Sequence, residues 1–176
     1  VNHEDEYGTN ILHGSYNTSA LGRIFRQVME SRSFEFIDFE PYAPLFGRPF
    51  AFIAQPVKNE SRIELVVVLR IPFNAINTIM QERTGFGSTG ETYLVGPDLL
   101  MRSNSYLDPI HYSTKASFAN PKIGRVDTMA SQEALSGKTG EKIITSYKGD
   151  KVLSAYTPLN TGSNTWALIA EISREE

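Results

Sequence analysis

The chain has 176 residues, 20 acidic against 17 basic side chains for a formal charge of −3, and an apolar share of 40%. That composition suits a globular protein with length for one ordinary domain or two small ones. Lys and Arg are scattered singly, so no basic stripe exists to neutralise phosphates, and nucleic acid is excluded as a partner class. Cysteine is absent, which rules out disulfides and thiolate metal sites. The longest aliphatic runs, such as residues 65–69, are far short of the roughly 20 residues that cross a bilayer.

Leu21, Ile24, Phe25, Val28 and Met29 recur at steps of three and four, the stripe of a helix, with Thr18 or Ser19 available as N-cap. From 34 to 71 the residues turn β-branched and aromatic. Phe34, Phe36 and Phe39, then 49–57, then 64–71 predict three antiparallel strands. Helical spacing returns over 73–83, with Asn74 as cap, Ile76, Ile79 and Met80 on one face and Gly85 as a left-handed stop. Strands are expected at 91–95 and 99–103 around the turn Gly96-Pro97-Asp98. After an irregular stretch rich in Pro, Ser and Asn, a helix over about 125–136 carries Val126, Met129, Ala130 and Ala134 and stops at Gly137. Strands at 142–147, 151–157 and 165–172 close the chain. Two strands, a helical excursion and three strands is the order of a PAS-like sheet.

Sliding the chain along itself aligns Ser15, Gly22, Arg23, Gly47, Pro56 and Ser61 with Ser117, Gly124, Arg125, Gly149, Pro158 and Ser163. Element types coincide in the same register, which favours a duplicated module. The hairpin 91–102 then has no partner, so the first copy is expected to lack its opening strands and the chain to be a piece of a larger protein.

Gly85-Phe86-Gly87-Ser88-Thr89-Gly90 fits the nucleotide-binding pattern G-x-G-x-x-G, but a helix precedes it and a strand follows, the reverse of the required context. It reads as a connector. His3, His13 and His111 show no metal-ligand spacing and read as surface residues. Asp38, Glu40, Asp98 and Asp127 offer carboxylates, yet a turn accounts for Asp98 and a first helical turn for Asp127. With no G-x-S-x-G elbow either, no catalytic constellation stands out, and neither enzyme nor cofactor is expected.

The run from Gly87 through Tyr93-Leu-Val-Gly-Pro-Asp98 to Ser105, with Ile79-Met-Gln-Glu-Arg83 before it and Val152-Leu-Ser-Ala-Tyr-Thr-Pro-Leu159 and Trp166-Ala-Leu-Ile-Ala-Glu-Ile172 after it, resembles the double Cache sensor regions of methyl-accepting chemotaxis receptors. Tyr7-Gly-Thr-Asn-Ile-Leu12, Asp38-Phe-Glu-Pro-Tyr42 and Phe52-Ile-Ala-Gln-Pro-Val57 look like the membrane-distal module of such regions. The resemblance implies an α+β architecture of two tandem PAS-like/Cache modules, antiparallel five-stranded sheets flanked by helices. The divisions are an incomplete distal module at 1–72, a connecting helix at 73–85 and a proximal module at 86–176. It implies a periplasmic region of an inner-membrane protein between flanking transmembrane helices, homodimeric in the full receptor and binding a small molecule. Similar regions front histidine kinases and cyclic-dinucleotide enzymes, and a structural spacer without ligand is a further alternative. The Arg-x-Trp-Tyr signature of amino-acid-binding relatives is not matched.

In PAS-like sheets the pocket lies between the sheet and the helical excursion. The candidates in the second copy are therefore Tyr93, Arg102, Tyr147, Ser154 and Tyr156, with Asp127 entering from the helix; the first copy offers Asp38, Tyr42 and Phe52. Arg102, if buried, needs an anion, which a small carboxylate ligand would supply; Glu171 is expected two strands away. Alternatively Arg102 points into water. Trp166 reads as core or as packing at the seam between modules.

Overall fold

The computed structural model describes residues 7–162 and 164–176; His3 and Ser163 lie outside them. The chain divides into two compact units, Val1–Pro72 and Phe73–Glu176.

In the first unit helix α1 (Ala20–Ser31) starts where the Ser19 hydroxyl accepts from the Gly22 amide and stops at Arg32, whose backbone is left-handed. Gly22 permits a close approach: a Cβ there would stand 2.4 Å from the Asn17 carbonyl oxygen. Strands β1 (Glu35–Tyr42), β2 (Arg48–Asn59) and β3 (Arg62–Ile71) follow, antiparallel in the order β1-β2-β3. Ala20, Ile24 and Val28 of α1 pack on Tyr42, Phe50, Phe52 and Ala54 to form the core. Val66 and Val68 of β3 back this core, while Leu65, Val67 and Leu69, pointing the other way by the period of two, are exposed.

The second unit holds α2 (Phe73–Met80), β4 (Glu91–Val95), α3 (Thr114–Ala119), α4 (Met129–Leu135), β5 (Gly140–Thr145), β6 (Lys151–Asn160) and β7 (Thr165–Ser173). Its sheet runs β4-β7-β6-β5, all neighbours antiparallel. Tyr93, Val95, Ala167, Ile169, Val152, Tyr156 and Ile144 alternate onto one face and meet Met101, Val126, Ala130 and Ala134 in a buried cluster.

Several expectations need correction. The sheet has four regular strands rather than five: residues 99–103 make only single bridges, Met101 to Val95 and Leu100 to Arg125. The reason is the turn, which forces Leu99 to φ +64 and aims Arg102 inward. Helix α4 begins at Met129 on a Thr128–Ser131 capping box, so Val126 and Asp127 precede it. Helix α2 ends at Met80, and its buried residue is Asn77 rather than Ile79, which is 75% exposed. Asn77 is taken inward because its Oδ1 accepts from the Asn104 amide at 2.7 Å. The short α3, capped by Ser113, was not foreseen.

The order β1-β2-β3 is repeated by β5-β6-β7. The pairs Lys58 with Ile63 and Asn160 with Thr165 are equivalent under the alignment of Ser15 with Ser117, and a bulge after Val57 displaces the remainder of the β2–β3 register by one residue. Among the described residues no strand of the first unit corresponds to β4.

Candidate functional site

One level of the second sheet departs from the apolar rule. Glu91 of β4 pairs with Glu171 of β7, and Glu171 with Ser154 of β6. Their side chains share the parity of Tyr93, Ile169 and Tyr156, so the inward face carries two carboxylates only 2% and 4% exposed. Buried carboxylates are rare and need donors or neutralisation.

Glu91 has its donors. Its carboxylate accepts from the Ser105 hydroxyl at 2.7 Å, from the Tyr106 amide at 2.9 Å and from the Leu107 amide at 3.2 Å. The Tyr147 hydroxyl completes the set through a short contact. Ser105 also meets the Tyr147 hydroxyl at 2.7 Å and accepts from the Asp108 amide at 2.9 Å. The loop over 104–112 is thereby wound round Glu91. Tyr147 stands edge-on to Tyr93 at 5.5 Å and tilted on Tyr112 at 4.2 Å. Burial first, then the Glu91 charge, push the Tyr147 hydroxyl pKa up.

Glu171 is placed differently. Burial raises its pKa from 4.5 to about 7; the Tyr93 and Ser154 hydroxyls temper the rise and the Glu91 charge adds to it. Tyr93 Oη, Ser154 Oγ and Glu171 Oε1 are buried together, the two hydroxyls being donors toward the carboxylate. Among the described residues no group of three or more His, Cys, Asp or Glu gathers to hold a metal ion. The cluster offers acceptors and hydroxyls to a proton or a small cationic group.

Arg102 is 2% exposed, and its counter-charge lies within the chain. Nη1 meets Asp98 at 2.9 Å and donates to the Leu100 carbonyl at 3.0 Å, and the guanidinium lies 5.1 Å over Phe118. Gly96 makes room, since a Cβ there would sit 2.1 Å from the guanidinium carbon. Asp98 thus replaces the expected ligand carboxylate, because the turn folds it back over a side chain four residues on. Asp127 is exposed, accepting from Gln132 at 2.7 Å and facing Arg125 at 3.4 Å. It does not enter the interior. Tyr156 lies on the inward face and donates to Glu133, itself paired with Lys142 at 2.8 Å.

The structure brings together Tyr93, Tyr147 and Ser154 of the sequence candidates. In the first unit Tyr42 and Phe52 are core aromatics 5.1 Å apart, and half-buried Asp38 accepts from the Phe39 amide at 2.7 Å. Glu91, Ser105 and Glu171 were not among the expected site residues. Their signal was parity: each Glu sits two residues from an inward apolar residue, where a strand facing a core carries no charge without reason.

No protein-family profile and no curated protein matches the chain. Solved structures do. The periplasmic sensory domain of the Campylobacter jejuni chemoreceptor Tlp1 is 15% identical with a TM-score of 0.57, over 87% of this chain and 55% of that one. The ligand-binding domain of the Pseudomonas aeruginosa amino-acid chemoreceptor PctC, in complex with GABA, is 14% identical with a TM-score of 0.53, over 84% and 59%. That of the Pseudomonas fluorescens chemoreceptor CtaA, with L-serine, is 16% identical with a TM-score of 0.51, over 86% and 60%. The fold is that of chemoreceptor sensory domains, and the chain spans less than two thirds of the length of these structures.

Proposed function

We propose that this chain is the extracytoplasmic sensing region of a transmembrane chemotaxis receptor, binding a small molecule and catalysing nothing. The observation that carries the reading is the fold it shares with the periplasmic sensory domain of Tlp1. Val1–Pro72 and Phe73–Glu176 are two modules of one repeat, the first without a counterpart of β4 among the described residues. Such modules work by differential affinity: a stimulus that prefers one arrangement of the loop over the sheet shifts the population, and flanking membrane helices of a dimeric receptor carry the shift inward. The sensing face is the inward face of the second unit, with Tyr93, Tyr147, Ser154, Glu91 and Glu171 as the polar groups a stimulus meets.

A thermal-shift screen of the whole chain against small metabolites, amino acids and GABA included, tests the reading at fixed pH. At a hundred times Kd a native-state ligand adds about 2.7 kcal/mol, a rise of roughly 5–10 °C for a protein of this size. Binding that Tyr147→Phe weakens assigns the face. A panel in which nothing moves the melting temperature overturns the small-molecule reading in favour of a spacer.

A further inference from the structure

Among the described residues no positive charge stands at the Glu91–Glu171 level. Register places the two side chains directly opposite one another, where like charges on a strand pair destabilise. The groups facing Glu171 are known element by element. From β4 come Glu91 and the Tyr93 hydroxyl, from β6 Ser154, and from the β5–β6 turn Tyr147. Lys142 of β5 stands at the level of Ser154, but its ammonium goes to Glu133 of α4 at 2.8 Å. Arg102 is paired with Asp98, and His111 with Asp108 at 3.0 Å. Among the described residues the cluster has two acids and no cation turned toward them, and the oxygens of Glu91 are already taken by donors.

We propose that Glu171 is a proton-binding site, and that its occupancy sets how firmly Glu91 holds the loop over 105–107, making external acidity a stimulus read by the second unit. The functional half rests on the sensor reading above; proton binding stands on the cluster alone. The step is a simple exchange: hydronium gives one proton to a Glu171 carboxylate oxygen, forming an O–H bond and releasing water. The neutral acid removes one of two facing charges and the burial penalty of the second, against the weaker pull of the Tyr93 and Ser154 hydroxyls toward the ionised form. On deprotonation the second charge returns beside Glu91, whose amide donors Tyr106 and Leu107 lie on the loop. A proton fits here better than a metal, since among the described residues no third His, Cys, Asp or Glu joins the pair.

The test follows the carboxyl carbon of Glu171 by NMR in the intact chain, with amide exchange at Tyr106 and Leu107 across pH 5–8 in parallel. Expected are a titration midpoint near neutrality and loop protection that falls several-fold above the midpoint after correction for intrinsic exchange. Glu171→Gln should keep the loop protected at pH 8. A midpoint below 5.5 in the wild-type protein overturns the proton site, and does so whether or not the variant folds. A neutral midpoint with loop protection unchanged by pH overturns the coupling. A metabolite bound against ionised Glu171 throughout pH 5–8 overturns the inference while leaving the sensor reading standing; failure of the metabolite screen alone leaves proton binding untouched.

Discussion

Arg102 and Asp98 form an ion pair at 2.9 Å across the turn after β4, and it gives the most deeply buried cation of the second unit a counter-charge supplied by the chain itself. The cost of breaking it is asymmetric. Asp98→Asn leaves a guanidinium buried without its anion, a change worth about 3–5 kcal/mol in a fully buried pair. Because the Asp98 side chain is 41% exposed, about 2 kcal/mol is expected after screening. Arg102→Met keeps the stem, strands only the exposed Asp98, and should cost less. Chemical denaturation of the two variants checks the order.

Glu91 and burial both raise the Glu171 pKa, burial being the larger cause. Glu91→Gln should therefore lower the Glu171 midpoint only in part, leaving it above the ordinary 4.5. The wild-type protein holds a proton on Glu171 that the unfolded chain releases at lower pH. Its contribution is complete below 4.5, is lost as pH rises to about 7, and is absent above. The shift corresponds to about 3 kcal/mol of pH-dependent stability. Melting temperatures at constant ionic strength should decline across that window and level off above it. A rise across the same window would reverse the assignment.

Much of this fold was legible because its strands are rich in β-branched, aliphatic and aromatic residues bounded by turn residues. The runs 151–157 and 165–172 carry that composition, and β6 and β7 lie there. The helix on Leu21, Ile24 and Val28 was equally plain. What escaped was decided by single side chains. Helix α3 has six residues, mostly Ser, Thr, Lys and Ala, too short for a periodic signal. Arg102 looked like a ligand for carboxylates because Asp98 is brought to it only by the left-handed Leu99. Glu91 and Glu171 were hidden because an acidic residue near a strand end usually marks the solvent face; the burial of Glu91 depends on the loop from Ser105 to Leu107 closing over it.

The glycine-rich connector ahead of β4 is an anion nest with an occupant. The Glu176 carboxylate accepts from the Ser88 amide at 2.7 Å, the Thr89 amide at 2.9 Å and both hydroxyls. Its pKa is lowered to about 2, first by the Thr89 hydroxyl and then by the two amides. Gly87 has φ +62, and a Cβ there would lie 1.9 Å from Glu176 Oε1. Glu176→Gln and Gly87→Ala should each speed amide exchange at Ser88 and Thr89 several-fold at pH 7. The stabilisation is present above the ordinary 4.5 and is lost as pH falls toward 2, so the difference from wild type should shrink at pH 3. Unchanged exchange in both variants would show that the nest is held without the carboxylate.

Trp166 tests whether the second unit is held by packing or kept open for a stacked ligand. It is 5% exposed, pairs with Leu159 across β6 and β7, and lies on the opposite parity from Ala167 and Ile169 of the inward face. An indole so placed contributes through buried area and close contacts, and truncation leaves a hole that neighbouring strands refill only in part. Trp166→Ala should cost about 3–5 kcal/mol, a large part of the stability of a small domain. Trp166→Phe should recover more than half of that, because it restores most of the volume. Unfolding followed by tyrosine fluorescence and circular dichroism checks both. Because Trp166 and Glu171 differ in parity along β7, the Phe variant should retain the wild-type Glu171 titration; a midpoint displaced by a whole pH unit would place the indole among the groups that govern the acid cluster and shift its role from core to site.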